Sequence, residues 1–191
     1  MENSYLESAI KQFMYYKMLG EKTFDQISEE QLFWQPSPDS NSIATIVKHL
    51  AGNMLSRWTE LLTSDGEKPW RNREGEFEND LGSRVEMFSL WEQGWKVMLD
   101  TLISLSDQDL NRIVYIRNQG HTVMEAINRQ LAHYPYHVGQ IVYIGKMLAS
   151  NWQSLSIPKG NSVQFNADKF AQEKHLGHFT DEFLNQNGAP E

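Results

Sequence analysis

The sequence contains no cysteine in its 191 residues. This absence excludes disulfide bonds, thiolate metal ligands and a cysteine nucleophile. A metal site in this chain must therefore be built from histidine, aspartate or glutamate side chains.

Long hydrophobic runs are also missing. A membrane span needs about 18 consecutive apolar residues, and the most apolar stretches here are interrupted by Lys48, His49, Arg57 or Lys146. The N-terminal residues have neither the basic nor the apolar region of a secretion signal. We therefore expect a cytoplasmic protein that makes no membrane contact.

Basic residues are scarce, with 17 lysines and arginines against 25 aspartates and glutamates and a net charge of −8. Such a chain repels a phosphate backbone. Nucleic acid is not an expected partner, and a small molecule is the expected substrate.

Apolar residues recur at spacings of three and four in four long segments, which predicts four amphipathic helices. In the third segment we assign Val85 to the buried face, together with Trp91 and Trp95. Capping boxes are predicted at Ser28 and Thr122, and also at Ser83. The four segments are residues 5–27, 43–62, 84–102 and 123–149.

The predicted elements indicate an all-α fold, a four-helix bundle with at least one long crossover connection. Residues 113–116 could form a short extended segment before a turn at 118–120, but no convincing strand pair is found. Residues 65–80 contain six acidic and three basic residues, which is typical of a solvated connection.

Beyond Ser150 the pattern becomes irregular, with at most one short helix near residues 167–174. We therefore divide the chain into a bundle domain, residues 1–166, and a C-terminal tail, residues 167–191, that is a short helix or disordered.

Three histidines are the candidate metal ligands. His133 and His137 are four residues apart, so both imidazoles project from one face of the fourth helix and can reach one ion. His49 lies at the border of the core-facing stripe of the second helix. Three such ligands leave open positions on the ion, as in catalytic or ligand-binding sites. The alternative is that these are polar rings bonded to solvent or backbone.

Pro135 falls between the two ligands of the fourth helix, where it removes a helix hydrogen bond. A bend there is either a tolerated kink or a device that re-aims His133 and frees a backbone carbonyl to hold an imidazole N–H. His121 is expected to flank a helix, and His175 and His178 to be solvated.

The surroundings of the ligands restrict the chemistry. The glutamate that follows the first histidine of a zincin motif is absent after His133, and no Glu-x-x-His pairs of a di-iron bundle are found. One mononuclear ion is therefore expected. Asn53 and Arg57, one and two turns after His49, are candidate substrate-orienting residues. Either also fits a polar surface position, and this alternative is favoured for Arg57.

The segments Ile46–Asn53 and His133–Ile141 resemble the two metal motifs of the DinB/YfiT-like superfamily. The loop Asp65–Arg71 and the tail Ile157–Gly160 are similar to those of a bacterial branch whose function is unknown. The resemblance covers about residues 5–166, and Pro135 departs from the ordinary helix former expected there.

This resemblance implies an up-down-down-up four-helix bundle that holds a divalent ion, commonly nickel or zinc, on His49, His133 and His137. Several members of the superfamily are thiol S-transferases that use bacillithiol, mycothiol or glutathione, and many form homodimers.

Three functions remain open at this point: a metal-dependent thiol S-transferase that uses an exogenous low-molecular-weight thiol, a metal-dependent hydrolase, and a non-catalytic metal or small-ligand binding protein. The lack of cysteine means that any sulfur nucleophile has to come from a small molecule, which a metal ion would activate.

Overall fold

The computed structural model describes residues 4–184. The chain is about 60% helical, which confirms the all-α class in its broad form. Two short 3-10 turns, Gly75–Phe77 and Asp107–Asn111, and one β-hairpin lie between the helices. The helices are α1 (Tyr5–Phe24), α2 (Glu29–Leu32), α3 (Ile43–Trp58), α4 (Arg84–Ser104), α5 (Val123–Leu148), α6 (Ser162–Phe170) and α7 (Asp181–Leu184).

The helices begin where side chains can bond to free backbone N–H groups. The capping boxes predicted at Ser28 and Thr122 are both formed. The one predicted at Ser83 is only half formed: the Ser83 hydroxyl accepts from the backbone of Glu86 at 3.2 Å, but the Glu86 carboxylate accepts from Gly82 instead.

Helix α3 ends at Trp58, four residues before the predicted end. Thr59 is extended, and Glu60 has a φ of +52°, in the left-handed region that cannot continue a right-handed helix. Leu61 is nevertheless buried. An apolar side chain that returns to the core after the helix has stopped explains why the hydrophobic pattern overestimated its length.

The four long helices share one hydrophobic core. Helix α3 packs against α4 and α5, and α1 packs against the same two helices. Phe13, Trp95 and Tyr134 meet at the centre, with ring centroids 5.8 to 6.5 Å apart. Helices α3 and α4 come close at Gly94, where an added Cβ would lie 2.9 Å from the Cα of Ala51.

Val85 does not belong to this core, contrary to the prediction. Its side chain is 80% exposed, because it lies about 200° around the helix from Met87, which begins the buried row of α4. Met87 and Trp91 are buried and one turn apart.

The absence of strand pairing was also predicted wrongly. Strands β1 (Ile113–Ile116) and β2 (Gln119–Thr122) form an antiparallel hairpin in which Ile116 pairs with Gln119. The turn consists of Arg117 and Asn118, with φ of 56° and 61°, the conformation favoured in two-residue hairpins. Strands of four residues are too short to give a clear alternating pattern.

The connection between α3 and α4 is more buried than its charge predicts. Lys68 and Glu76 are both buried, and the side chain of Arg71 is 2% exposed. The expectation of a solvated connection is therefore wrong for these residues. Arg71 pairs with Glu76, which also bonds to His49 of α3, and the Lys68 ammonium group donates to the Ser64 hydroxyl and the Asp65 carbonyl.

The tail contains helices at positions that differ from the prediction. Helix α6 spans Ser162–Phe170 and has no buried residue, so burial against the core does not mark its bounds. Helix α7 packs against α1. The division at residue 166 stays a prediction and would fall inside α6. The last part of the predicted tail, residues 185–191, lies outside the described residues.

Among residues 4–184, no helix is both long and apolar enough to span a membrane.

Candidate metal centre

The three predicted ligands meet in the structure. His49 on α3 and His133 and His137 on α5 place ring nitrogens within 4.8 Å of one another. The Nε2 atom of His133 lies 3.4 Å from Nε2 of His49 and 3.2 Å from Nε2 of His137. Within the described residues this is the one group of histidine or acidic side chains so arranged.

The opposite ring nitrogens determine the tautomers. Nδ1 of His49 lies 2.9 Å from a carboxylate oxygen of Glu76. Nδ1 of His133 and of His137 each lie 3.1 Å from a side-chain amide oxygen, of Gln130 and Gln140 respectively. These oxygens only accept hydrogen bonds, so each Nδ1 carries a proton, and in the neutral ring the Nε2 atom presents its lone pair to the other two histidines.

The spacing of the Nε2 atoms suits a shared ion. Ligands at 2.0–2.1 Å from a tetrahedral metal are separated from each other by about 3.4 Å, close to the two observed distances. Three lone pairs that face one another without a proton repel, and a cation between them relieves this repulsion. The residues therefore fit a divalent ion.

The electrostatic surroundings keep two of the rings neutral. Burial, together with the charges of His137 and His49, lowers the pKa of His133 to about 3. Burial also lowers the pKa of His137. Neutral imidazole is the form that binds metal ions, so both rings are ready to do so at neutral pH.

Pro135 is accommodated within α5, which continues from Val123 to Leu148 without interruption. The imidazole N–H groups of the two α5 ligands are held by the side chains of Gln130 and Gln140. The interpretation that Pro135 frees a backbone carbonyl for this purpose is therefore wrong, since amides three residues before His133 and three after His137 already supply the acceptors.

Glu76 connects the metal centre to the loop between α3 and α4. Its carboxylate accepts from His49 and also from Arg71, at 2.7 Å from Nε and 2.9 Å from a terminal nitrogen. Burial acts to raise the pKa of Glu76, but the hydrogen bonds from His49 and Arg71 outweigh it and leave the pKa below its usual value. A Cβ on Gly52 would overlap this carboxylate, so glycine is needed there.

Behind the ligands, a buried hydrogen-bonded chain joins α3 to α5. Trp58 Nε1 donates to the hydroxyl of Tyr134 at 2.9 Å, and that hydroxyl donates to Oδ1 of Asn53 at 3.1 Å. Tyr134 is fully buried, and burial raises the pKa of its hydroxyl. Asn53, a predicted site residue, is thereby fixed beside His49.

Arg57 is buried, so its interpretation as a surface residue is wrong. Both terminal nitrogens lie 3.0 Å from Oε2 of Glu67, and one of them also donates to the carbonyl of Gly66. These partners come from the loop after α3, which the helical pattern alone does not place against Arg57.

Asp65 fixes the same loop to the β-hairpin. Its carboxylate accepts from the backbone N–H of Glu67 at 2.7 Å and from those of Arg117 and Asn118 at 2.8 Å. Gly66 N–H also donates to the carbonyl of Tyr115 at 2.8 Å. Loop and hairpin together form one side of the site.

The three histidines open onto a cavity of about 460 Å³, a size suited to a small molecule. Asn53 and Arg57 line it with the three ligands, as do Phe77 and Tyr136. Phe77 also stacks on the His49 ring with centroids 4.8 Å apart. The cavity gives a second molecule access to the open side of the metal centre.

The other histidines lie apart from this group. His121 flanks the start of α5 as expected, and its Nε2 is buried without a partner. His175 is exposed. His178 contacts the hydroxyls of Ser8 and Thr180 at 3.1 and 2.7 Å, so it helps to dock the tail on α1 and is not simply solvated.

Sequence reasoning missed the residues that orient the ligands. Gln130 and Gln140 could have been found, because each is three residues from a ligand on the same helix and so lies on the same face. Glu76 and Arg71 gave no such signal, since they lie in a charged loop without periodicity.

A search among curated proteins finds no match to the chain. A family model does match it over residues 1–161, which is most of its length. The chain belongs to the family described as "Protein of unknown function (DUF1572)".

Proposed function

We propose that this protein is a metal-dependent enzyme with the four-helix-bundle architecture of the DinB/YfiT-like superfamily, and that His49, His133 and His137 hold one nickel or zinc ion. The observation that carries the proposal is the convergence of three Nε2 atoms at the wall of a cavity, in rings whose Nδ1 atoms each face a hydrogen-bond acceptor. A purely structural site would be closed by a fourth protein ligand.

The proposed reaction is thiol S-transfer with a low-molecular-weight thiol such as bacillithiol. Its sulfur forms a bond to an electrophilic carbon of a second substrate. The bond from that carbon to its leaving group breaks, the leaving group departs with the electron pair, and the thiol proton passes to water. A bound divalent ion would supply the Lewis acid that lowers the pKa of the thiol. The chain itself has no cysteine, so the thiol meets no competing protein sulfur.

The cavity walls disfavour hydrolysis that uses a carboxylate as the general base. Among the described residues, none that lines the cavity is an aspartate or glutamate. The carboxylates of Glu67 and Glu76 are already bonded to arginines. Hydrolysis by a metal-bound hydroxide needs no such base, so the experiments below have to separate it from S-transfer.

Asn53 and Arg57 are proposed to orient the substrate. Asn53 uses its oxygen to accept from Tyr134, so its amide N–H₂ can donate to a bound molecule. Arg57 is held in place by Glu67 and Gly66 and lines the cavity with a guanidinium group of fixed position.

The first test is elemental analysis of protein purified without a nickel column, which determines whether one equivalent of metal is bound. The second is cobalt substitution followed by addition of a small thiol, with the matching alcohol as control. Direct binding of sulfur produces a sulfur-to-metal charge-transfer band that the alcohol does not give, and His133→Ala or His137→Ala abolishes it.

Two results would overturn S-transfer. If no thiol changes the cobalt spectrum at millimolar concentration while simple esters or amides are hydrolysed, the protein is a hydrolase. If the metal binds and neither occurs, it is a metal or small-ligand binding protein.

A further inference from the structure

The cavity in front of the three histidines concentrates positive charge. Five of its lining residues are arginines, out of seven arginines in a chain whose net charge is −8. They come from α3, the loop after α3, the hairpin turn and α5, so no single sequence pattern explains their convergence. The five are Arg57, Arg71, Arg73, Arg117 and Arg129.

Two of these arginines are neutralised by the protein. Arg57 binds Glu67 through both terminal nitrogens at 3.0 Å, and Arg71 binds Glu76 at 2.7 and 2.9 Å. Both side chains are almost fully buried. They form the rigid inner wall of the cavity.

The other three have donors to spare. Arg117 reaches Glu67 through Nε alone, at 3.2 Å, which leaves its terminal nitrogens for a ligand. Arg73 contacts the exposed Glu74 through one terminal nitrogen at 3.4 Å and lies over the Phe77 ring, 5.4 Å from its centroid, which leaves its other guanidinium nitrogens for a ligand. Arg129 makes no ion pair with any acidic residue in the described part of the chain, and it lies one helical turn before His133, on the same face of α5.

The charges in this region do not balance. Four of the five guanidinium groups contact three carboxylates, those of Glu67, Glu74 and Glu76. Arg129 contacts none of them, and a divalent ion would add two further positive charges. Like charges so close together in a partly buried cavity repel unless an anion joins them. One guanidinium group can bind one carboxylate or phosphate through two parallel N–H···O hydrogen bonds.

We propose that the small molecule bound at the three-histidine site carries at least two anionic groups, carboxylate or phosphate, and that Arg73, Arg117 and Arg129 recognise them. This deepens the proposed function and rests on it for the reaction. The cavity of about 460 Å³ limits the ligand to a small molecule.

The experiment measures anion binding by titration calorimetry on chelator-treated protein, so that no metal contributes. The probes are succinate, inorganic pyrophosphate and the neutral succinamide. We expect at least one dianion to bind at least tenfold more tightly than succinamide. Arg73→Gln and Arg129→Gln should each weaken this binding by about tenfold, the loss of one charge-assisted hydrogen bond at the weak end of its range. Preference for succinate or pyrophosphate identifies the anionic group.

Arg112→Gln is the matched control. Arg112 is half exposed, pairs with Asp109 at 3.0 Å and does not line the cavity, so its loss should change binding by less than twofold. The proposal is overturned if neither dianion binds better than succinamide, or if the control weakens binding as much as the cavity variants. Dianion binding that persists in a protein that takes up no metal or thiol rejects the proposed function and supports this inference.

Discussion

Replacing Glu76 with glutamine tests whether the loop after α3 tunes the metal centre. The Glu76 carboxylate accepts three hydrogen bonds, one from His49 at 2.9 Å and two from Arg71 at 2.7 and 2.9 Å. Glutamine keeps one acceptor oxygen and turns the other into a donor, so an N–H group of His49 or Arg71 must face another N–H group.

The expected loss of metal affinity follows from the hydrogen bond that Glu76 accepts from the ligand His49. Removing the carboxylate that orients a metal-bound histidine typically weakens metal binding by about 10- to 100-fold, which corresponds to about 1.4–2.8 kcal/mol. Gly52→Ala should also weaken metal binding, without changing any charge, because the added Cβ would displace the Glu76 carboxylate.

The assay is competition for zinc between chelator-treated protein and a fluorescent chelator, with urea unfolding of the metal-free variants measured separately. Glu74→Gln is the control, since Glu74 lies on the same loop with its side chain 91% exposed, and it should bind zinc like the wild type. If Glu76→Gln and Gly52→Ala both bind zinc within twofold of the wild type, the carboxylate does not orient His49 and the reasoning is wrong.

Three further predictions concern the centre and the core beside it. His137→Ala should lose the metal while circular dichroism shows an unchanged helix content, and His175→Ala should keep it, as elemental analysis of both variants would show. Metal-free protein should lose stability as the pH falls from about 6.5 towards 3. The pKa of His133 lies near 3 in the folded protein and near 6.5 in the unfolded chain, so the unfolded chain takes up the proton first. Urea titrations at pH 7 and pH 5 measure this difference, and equal stability at the two pH values would contradict it. Tyr134→Phe should destabilise the protein by about 1–3 kcal/mol in urea unfolding, because it leaves buried Trp58 Nε1 without an acceptor.

The sequence contained enough information for the long helices and the ligands. Each helix buries a regular stripe of apolar residues, and the hydroxyl caps at Ser28 and Thr122 can be read locally. The ligand pair on α5 could be predicted because His133 and His137 are one helical turn apart. His49 could be predicted because it lies at the border of the apolar stripe of α3.

Features that depend on distant partners could not be predicted in the same way. Arg57 is buried only because Glu67 and Gly66 fold back onto it, and Glu76 reaches His49 across 27 residues of chain. In each case the determining contact is non-local.

The three backbone hydrogen bonds to Asp65 affect how the site can open. Two of them, from Arg117 and Asn118, join the loop after α3 to a turn that lies 52 residues further along the chain, and they stabilise the left-handed conformations of these two residues. The third comes from Glu67 within the loop. Loop and turn therefore form a single unit of local unfolding, in which the amide hydrogens of Glu67, Arg117 and Asn118 exchange with solvent together. One wall of the cavity opens or stays closed as a whole.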